Sequence, residues 1–231
     1  MFEEDEIVLQ FHEKELTVNG LEKLFQEYII QGTIISSVVN RNEVVENWLK
    51  EQTFFIQLNY QTPIPIQNDY QTPQTLGNDR IAAAVGAFAL YPNENCLIVD
   101  AGTCMTYEFI DSKGSYKGGT ISPGMTMRFR SMHEFTAKLP LIEKQRLESF
   151  IGFNTETSMR TGAQLGLCLE IEGFYKLYQR EFGQVRLILT GGDAEIIAQH
   201  LEEQAIINRE IVLIGLNKIL DYNVKKLEKL G

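Results

Sequence analysis

The chain has 231 residues, enough for one large domain or two small ones around a sizeable core. Its 31 acidic and 21 basic side chains leave a formal charge of -10, which argues against a nonspecific nucleic-acid binder, since such proteins need a basic footprint. No apolar run reaches membrane-spanning length and no signal-peptide layout stands at the start, so a cytoplasmic protein without membrane or nucleic-acid partners is expected.

In chain order, Met1-Phe2 runs into an acidic turn, and Ile7 to Phe11 is predicted as a strand already inside a sheet. Thr17 is a plausible N-cap for a helix over Leu21 to Ile30, with Leu21, Leu24, Phe25 and Tyr28 on one face and Gly32 ending it. Thr33 to Val39 has the Ile/Val content of a buried parallel strand, and Asn42 to Lys50 predicts a helix carrying Trp48 as packing. The stretch Asn59 to Pro73 is rich in Gln, Asn, Tyr and Pro and predicts a loop. Leu76-Gly77-Asn78-Asp79-Arg80 then opens a tightly packed helix over Ile81 to Leu90, with Asn78-Asp79 at its N-terminus as a cap or as cleft-facing groups.

The central stretch is Cys96 to Gly124, CLIVDAGTCMTYEFIDSKGSYKGGTISPG, which predicts a three-stranded meander. Its first turn puts an acid, Asp100, at the end of a buried strand and follows it with Ala101-Gly102-Thr103. That pattern offers a carboxylate for a cation or water and unobstructed backbone N–H groups for phosphate oxygens; the plainer reading is a capped turn. Gly118-Gly119 and Pro123-Gly124 crowd further glycine-dependent turns into the same meander. Beyond it, Met125 to Glu134 predicts a helix. A long helix over Ser158 to Arg180 is interrupted by Gly162, Gly166 and Gly173, whose recurrence argues for close backbone packing, a helix contact across a dimer being the obvious candidate. Val185 to Thr190 predicts a strand ending in Gly191-Gly192-Asp193, a place for an anion or ribose to meet N–H groups before a helix over Glu195 to Glu203. Ile211 to Leu216 looks strand-like, and the tail from Asn223 looks helical or frayed. The three cysteines, Cys96, Cys104 and Cys168, lack metal or redox spacing and are expected as small core residues. His12, His133 and His200 have no partners spaced for a metal.

The run VDAGTCMTYEFIDSKGSYKGGTISPGM, with LGNDR before it and FTAKLP and LTGGDAE after it, resembles the type III pantothenate kinases, part of the acetate kinase, sugar kinase, Hsp70 and actin superfamily. The resemblance covers about Ile34 to Leu216. It implies an α/β fold of two related actin/ribonuclease H-like subdomains, residues 1–94 and 95–231, with mixed sheets flanked by helices and a cleft between them. It implies transfer of the γ-phosphoryl of ATP to the primary hydroxyl of pantothenate, the entry to coenzyme A, with Mg2+ and a monovalent cation, K+ or NH4+. By the same resemblance Asp79 is the general base, and Tyr70, Gly77, Asn78, Arg80 and Thr155 meet pantothenate. Gly102, Thr103, Gly191 and Gly192 meet ATP, and Asp100 holds the cation. Thr155 would reach pantothenate on the neighbouring subunit of a homodimer. Members of the family begin with a strand ending in D-x-G-N-T, a first phosphate turn that is not present at the start of this sequence. The resemblance therefore leaves a shortened chain, or a catalytically impaired member acting as a binding or regulatory protein, as expectations beside the kinase.

Overall fold

The computed structural model describes residues 1–36 and 42–229 of the chain. A six-stranded mixed sheet organises it. The predicted meander forms its middle: β6 (Asn95–Ala101), β7 (Cys104–Ile110) and β8 (Ser115–Pro123) pair antiparallel in sequence. β9 (Val185–Thr190) joins β6 in parallel with Thr190 opposite Asp100, and β10 (Ile206–Ile207) extends that edge. On the other edge β5 (Gln67–Asn68), inside the expected loop, runs parallel to β8.

Strand alternation sorts the meander between two cores. Leu97, Val99, Ala101, Tyr107 and Phe109 face α4 (Met125–Glu134) and α6 (Gly166–Phe182), where Met125, Phe129, Leu167 and Ile171 close one layer. Cys96, Ile98, Ile110 and Ile188 face the opposite way, against α3 (Asn78–Leu90) and α8 (Ile211–Glu228). Cys96 and Cys168 are buried as expected of core thiols, and burial pushes the Cys96 thiol up to about 12. Among the described residues no helix is long and apolar enough to cross a membrane.

Helices α3 and α8 touch through their backbones. A Cβ added at Gly86 would stand 2.1 Å from the Ile211 carbonyl oxygen, and one at Gly215 would stand 1.8 Å from that of Ala82. Gly215→Ala must push the helices apart, so it is expected to cost about 1–3 kcal/mol by overpacking. A urea midpoint unchanged from the parent would contradict that contact.

Ile211 to Leu216 is therefore the first part of a helix, correcting the strand expected there. A short apolar run has no period to separate the two states, and Ile211, Gly215 and Ile219 recur at helical spacing toward α3. At the start, β1 (Phe2–Glu3) and β2 (Glu6–Ile7) form a tight hairpin in place of the strand expected over Ile7 to Phe11. It is held on α8, where Asn217 Nδ2 donates to the Glu4 carbonyl and Lys218 pairs with Asp5. Val8 and Phe11 remain exposed, so that run has no apolar face to bury.

A smaller unit holds α1 (Val18–Glu27), capped by Thr17, and α2 (Glu43–Gln52), capped by Asn42. They pack Leu21, Val45 and Leu49 together beside a parallel pair, β3 (Gly32–Ile35) and β4 (Phe54–Gln57). β4 was not expected from the sequence, and the expected run of β3 on to Val39 lies outside the described residues. The long helix over Ser158 to Arg180 is broken: α5 (Thr155–Arg160) passes through a π-helical turn, Thr161–Leu165, into α6. The expected helix over Glu195 to Glu203 shrinks to α7 (Ala194–Ala198).

Candidate active site

Two backbone turns meet because two strands are parallel neighbours. The register that sets Asp100 beside Thr190 carries Ala101-Gly102-Thr103 and Gly191-Gly192-Asp193 out of the same sheet end. Gly191 has φ +85, and a Cβ there would lie 2.4 Å from Asp100 Oδ1 and 2.6 Å from the Ala101 carbonyl oxygen. The turn closes with the Asp193 amide donating to that carbonyl at 3.0 Å. Gly124 makes a second such approach, since a Cβ on it would fall 2.2 Å from the Gly102 carbonyl oxygen. The glycines thus let three chain segments close on the turn that follows Asp100.

Asp79 enters from the first turn of α3, whose N-cap is Gly77. Its Oδ1 accepts from the Arg80 amide at 2.9 Å and its side chain stays exposed. Burial, and then the negative charge of Asp79, raise the Asp100 carboxyl above its usual range. A carboxyl with a raised folded pKa costs stability once ionised, and that cost vanishes below its unfolded value near 3.8. Asp100→Asn is accordingly expected to melt above the parent at pH 7, the gap closing as the pH falls toward that value. A variant that melts no higher at pH 7 would contradict this.

The other expected ligands sit beside Asp79 with partners of their own. Asn78 Nδ2 donates to the carbonyls of Ser36 and Leu58, tying α3 to the ends of β3 and β4. Arg80 is 7% exposed and forks onto Glu108, with Nε at 2.5 Å from Oε1 and Nη2 at 3.0 Å from Oε2. Glu108, 1% exposed, also accepts from the Tyr116 hydroxyl at 2.5 Å. Burial works against the guanidinium's charge, but the hydrogen bonds and charge of Glu108 outweigh it and hold its pKa above the usual value. The resemblance gives Arg80 to pantothenate, whereas the fold commits two of its donor groups to Glu108. Tyr70 lies over this pair, its ring 5.6 Å from the guanidinium carbon, in space kept by Gly118, where a Cβ would come within 3.0 Å of the ring.

Thr155 is the first residue of α5 behind the Asn154 capping box, exposed and not among the residues lining the cleft described next. That cleft, of about 590 Å³, opens between the Gly102-Thr103 turn, the Gly192-Asp193 turn and one face of α4. Its lining comes from beyond residue 94, and α4 contributes Met127, Arg130 and Glu134. Sequence reasoning missed these, and it missed Glu108; the signal for Glu108 was an acid within a buried apolar strand, which demands a partner.

Among the described residues no three His, Cys, Asp or Glu side chains stand ready to hold a metal alone. Two carboxylates, one half-buried and raised by that burial and then by the charge of the other, do suit a divalent ion whose remaining ligands are phosphates and water. The arrangement can therefore present a carboxylate as a base, another for a cation, and a cleft between two glycine turns for a polyphosphate.

A family model described as type III pantothenate kinase matches residues 8–177. A type III pantothenate kinase of Phocaeicola vulgatus is 39% identical over 226 residues, 97% of this chain and 93% of that protein. One from Cytophaga hutchinsonii is 45% identical over 190 residues, 82% of this chain and 80% of its own length. Among solved structures, a conserved Baf family transcriptional activator from Campylobacter jejuni superposes with a TM-score of 0.58 at 26% identity, covering 88% of this chain and 89% of that one.

Proposed function

Because the chain belongs to the type III pantothenate kinase family, we propose that Asp79 and Asp100 are the centre at which it transfers a phosphoryl group from ATP to pantothenate. The family's reaction is the ATP- and divalent metal-dependent step that opens coenzyme A biosynthesis. The observation that carries the assignment is the closure of the Gly191 turn on Asp100, with Asp79 on the first turn of α3 near enough for its charge to act on that carboxyl.

The primary hydroxyl of pantothenate attacks the γ-phosphorus, the bond to the β-phosphate oxygen breaks, ADP leaves and the hydroxyl proton passes to Asp79. Phosphoryl transfer asks its base chiefly to orient the nucleophile, and a carboxylate on the rigid first turn of α3 suits that task. Gly102, Thr103, Gly191 and Gly192 border the nucleotide, the Gly102 amide itself donating to the Cys104 carbonyl oxygen at 3.1 Å, and Asp100 would hold the cation. A divalent ion bound there supplies charge neutralisation for the phosphates. K+ or NH4+ as a further activator is part of the same reading. Tyr70, Gly77, Asn78 and Arg80 border the acceptor, with Arg80 positioned by Glu108. A substrate panel tests the assignment: phosphoryl transfer to pantothenate with none to acetate or hexoses is expected, and the reverse preference would defeat it.

A homodimer in the cytoplasm completes the reading, with the chain divided near residues 94/95. Gly162, Gly166 and Gly173 meet nothing within 4 Å, and Leu169 and Leu177 lie exposed at the same helical spacing, so this chain leaves that stripe uncovered. Thr155, on the helix that leads into the stripe, is then the partner-facing ligand. Thr155→Ala is expected to raise KM for pantothenate about tenfold, as a lost hydrogen bond to a charged ligand would. A monomer by light scattering, with that KM unmoved, would overturn the assignment.

A further inference from the structure

The cleft beside the Gly102-Thr103 turn must receive a polyphosphate on a chain of formal charge -10, yet Arg130 is the one cationic side chain among the described residues that line it. Its neighbours are occupied elsewhere. Arg128 is spent on Glu170 Oε2 at 2.5 Å, the Pro123 carbonyl oxygen and Ser122 Oγ. Lys144 pairs with the buried Asp193. Arg130, by contrast, forks only onto Glu134 one helical turn on, with Nη2 at 2.8 Å, and both side chains are about half exposed, at 63% and 49%. Exposed pairs of this spacing shift an equilibrium by only about twofold. A guanidinium on a phosphate, bidentate and charge-assisted, is a stronger partnership.

We propose that Arg130 is an exchangeable counter-charge for the donor nucleotide, leaving Glu134 to pair with the polyphosphate when ATP enters the cleft. Glu134 then acts as a placeholder that keeps the guanidinium on the cleft side of α4 while the site is empty. Phe135, 86% exposed at the end of α4, and Met127 give the same opening an apolar wall. The inference rests on the kinase reading for the identity of the ligand, and it adds the residue that sets affinity for the donor.

Two readouts separate its failure from that of the kinase reading: ADP release at varied ATP and pantothenate, and direct calorimetric binding of Mg2+ with the non-hydrolysable analogue adenylyl imidodiphosphate. Arg130→Gln is expected to raise both KM for ATP and Kd for the analogue about tenfold or more, leaving KM for pantothenate within about twofold. Arg130→Lys should recover part of the loss, and Glu134→Gln should tighten the analogue by about twofold, since a competitor is removed. If the parent binds the analogue but does not phosphorylate pantothenate, the kinase reading fails and the binding arm still decides the role of Arg130. Arg130→Gln without effect on either constant, or Glu134→Gln that weakens binding tenfold, overturns the proposal, as does a parent that binds no analogue.

Discussion

Asp79→Asn is expected to lower kcat about 10²- to 10⁴-fold, the usual contribution of a positioned base, with the fold intact. The side chain is exposed and its one backbone role, accepting from the Arg80 amide, is kept by an asparagine oxygen. In the proposed role of Asp79, what is lost is a proton acceptor that also orients the attacking hydroxyl, and both are needed only as the new bond forms. The loss should thus appear equally in kcat and kcat/KM, with KM for pantothenate little changed. Burial is the larger cause of the raised Asp100 carboxyl and stays, but the variant removes the second, the Asp79 charge, so that carboxyl should move part of the way back toward its ordinary range. Turnover within tenfold of the parent would take Asp79 out of the chemistry.

Arg80→Ala is expected to give the largest loss of stability among single changes near the site. It would strand the carboxylate of Glu108, which is 1% exposed and would keep hydroxyl partners, Tyr116 and Thr106, but no opposite charge. Breaking a buried pair from one side costs about 3–5 kcal/mol, which for a chain of this size lowers Tm by roughly 6 to 20 °C. Pairing Arg80→Met with Glu108→Leu should recover much of that loss, because no charge is then left unpaired. Double-variant protein that folds but binds pantothenate poorly would show that the pair positions Tyr70 and the first turn of α3 for the acceptor. A Tm drop of only a degree or two in Arg80→Ala would mean that water reaches Glu108, contrary to its burial.

The parts of the candidate site that lie close together in sequence had their local structure legible in the sequence. Asp100-Ala101-Gly102-Thr103 and the meander around it fix their own strand, turn and strand by apolar runs broken at glycines, and β6, β7 and β8 follow those limits closely. Gly191-Gly192 was legible as a turn, but its contact with Asp100 depends on the parallel pairing of β6 with β9, which no local pattern encodes. Long-range partners stayed hidden for the same reason: Glu108 lies 28 residues from Arg80, and Lys144 lies 49 from Asp193. Ile211 to Leu216 misled because six apolar residues satisfy strand and helix equally, and only packing on α3 chooses. The glycines of the long helix were expected to seat a close neighbour, yet Gly162, Gly166 and Gly173 face open space within the chain. They seat no neighbour in the core of this chain, and the homodimer proposed above is what would give them one.

Pantothenate-dependent release of ADP by the purified chain, with ATP, Mg2+ and K+ present, is the measurement that bears most directly on Asp79 and Asp100 as one phosphoryl-transfer centre. The account predicts steady turnover that requires both substrates, yields a phosphorylated pantothenate by mass, and drops by at least about a hundredfold in both Asp79→Asn and Asp100→Asn. Release of ADP at the same rate without pantothenate, or no release from a chain that is folded and binds both ligands, would contradict it.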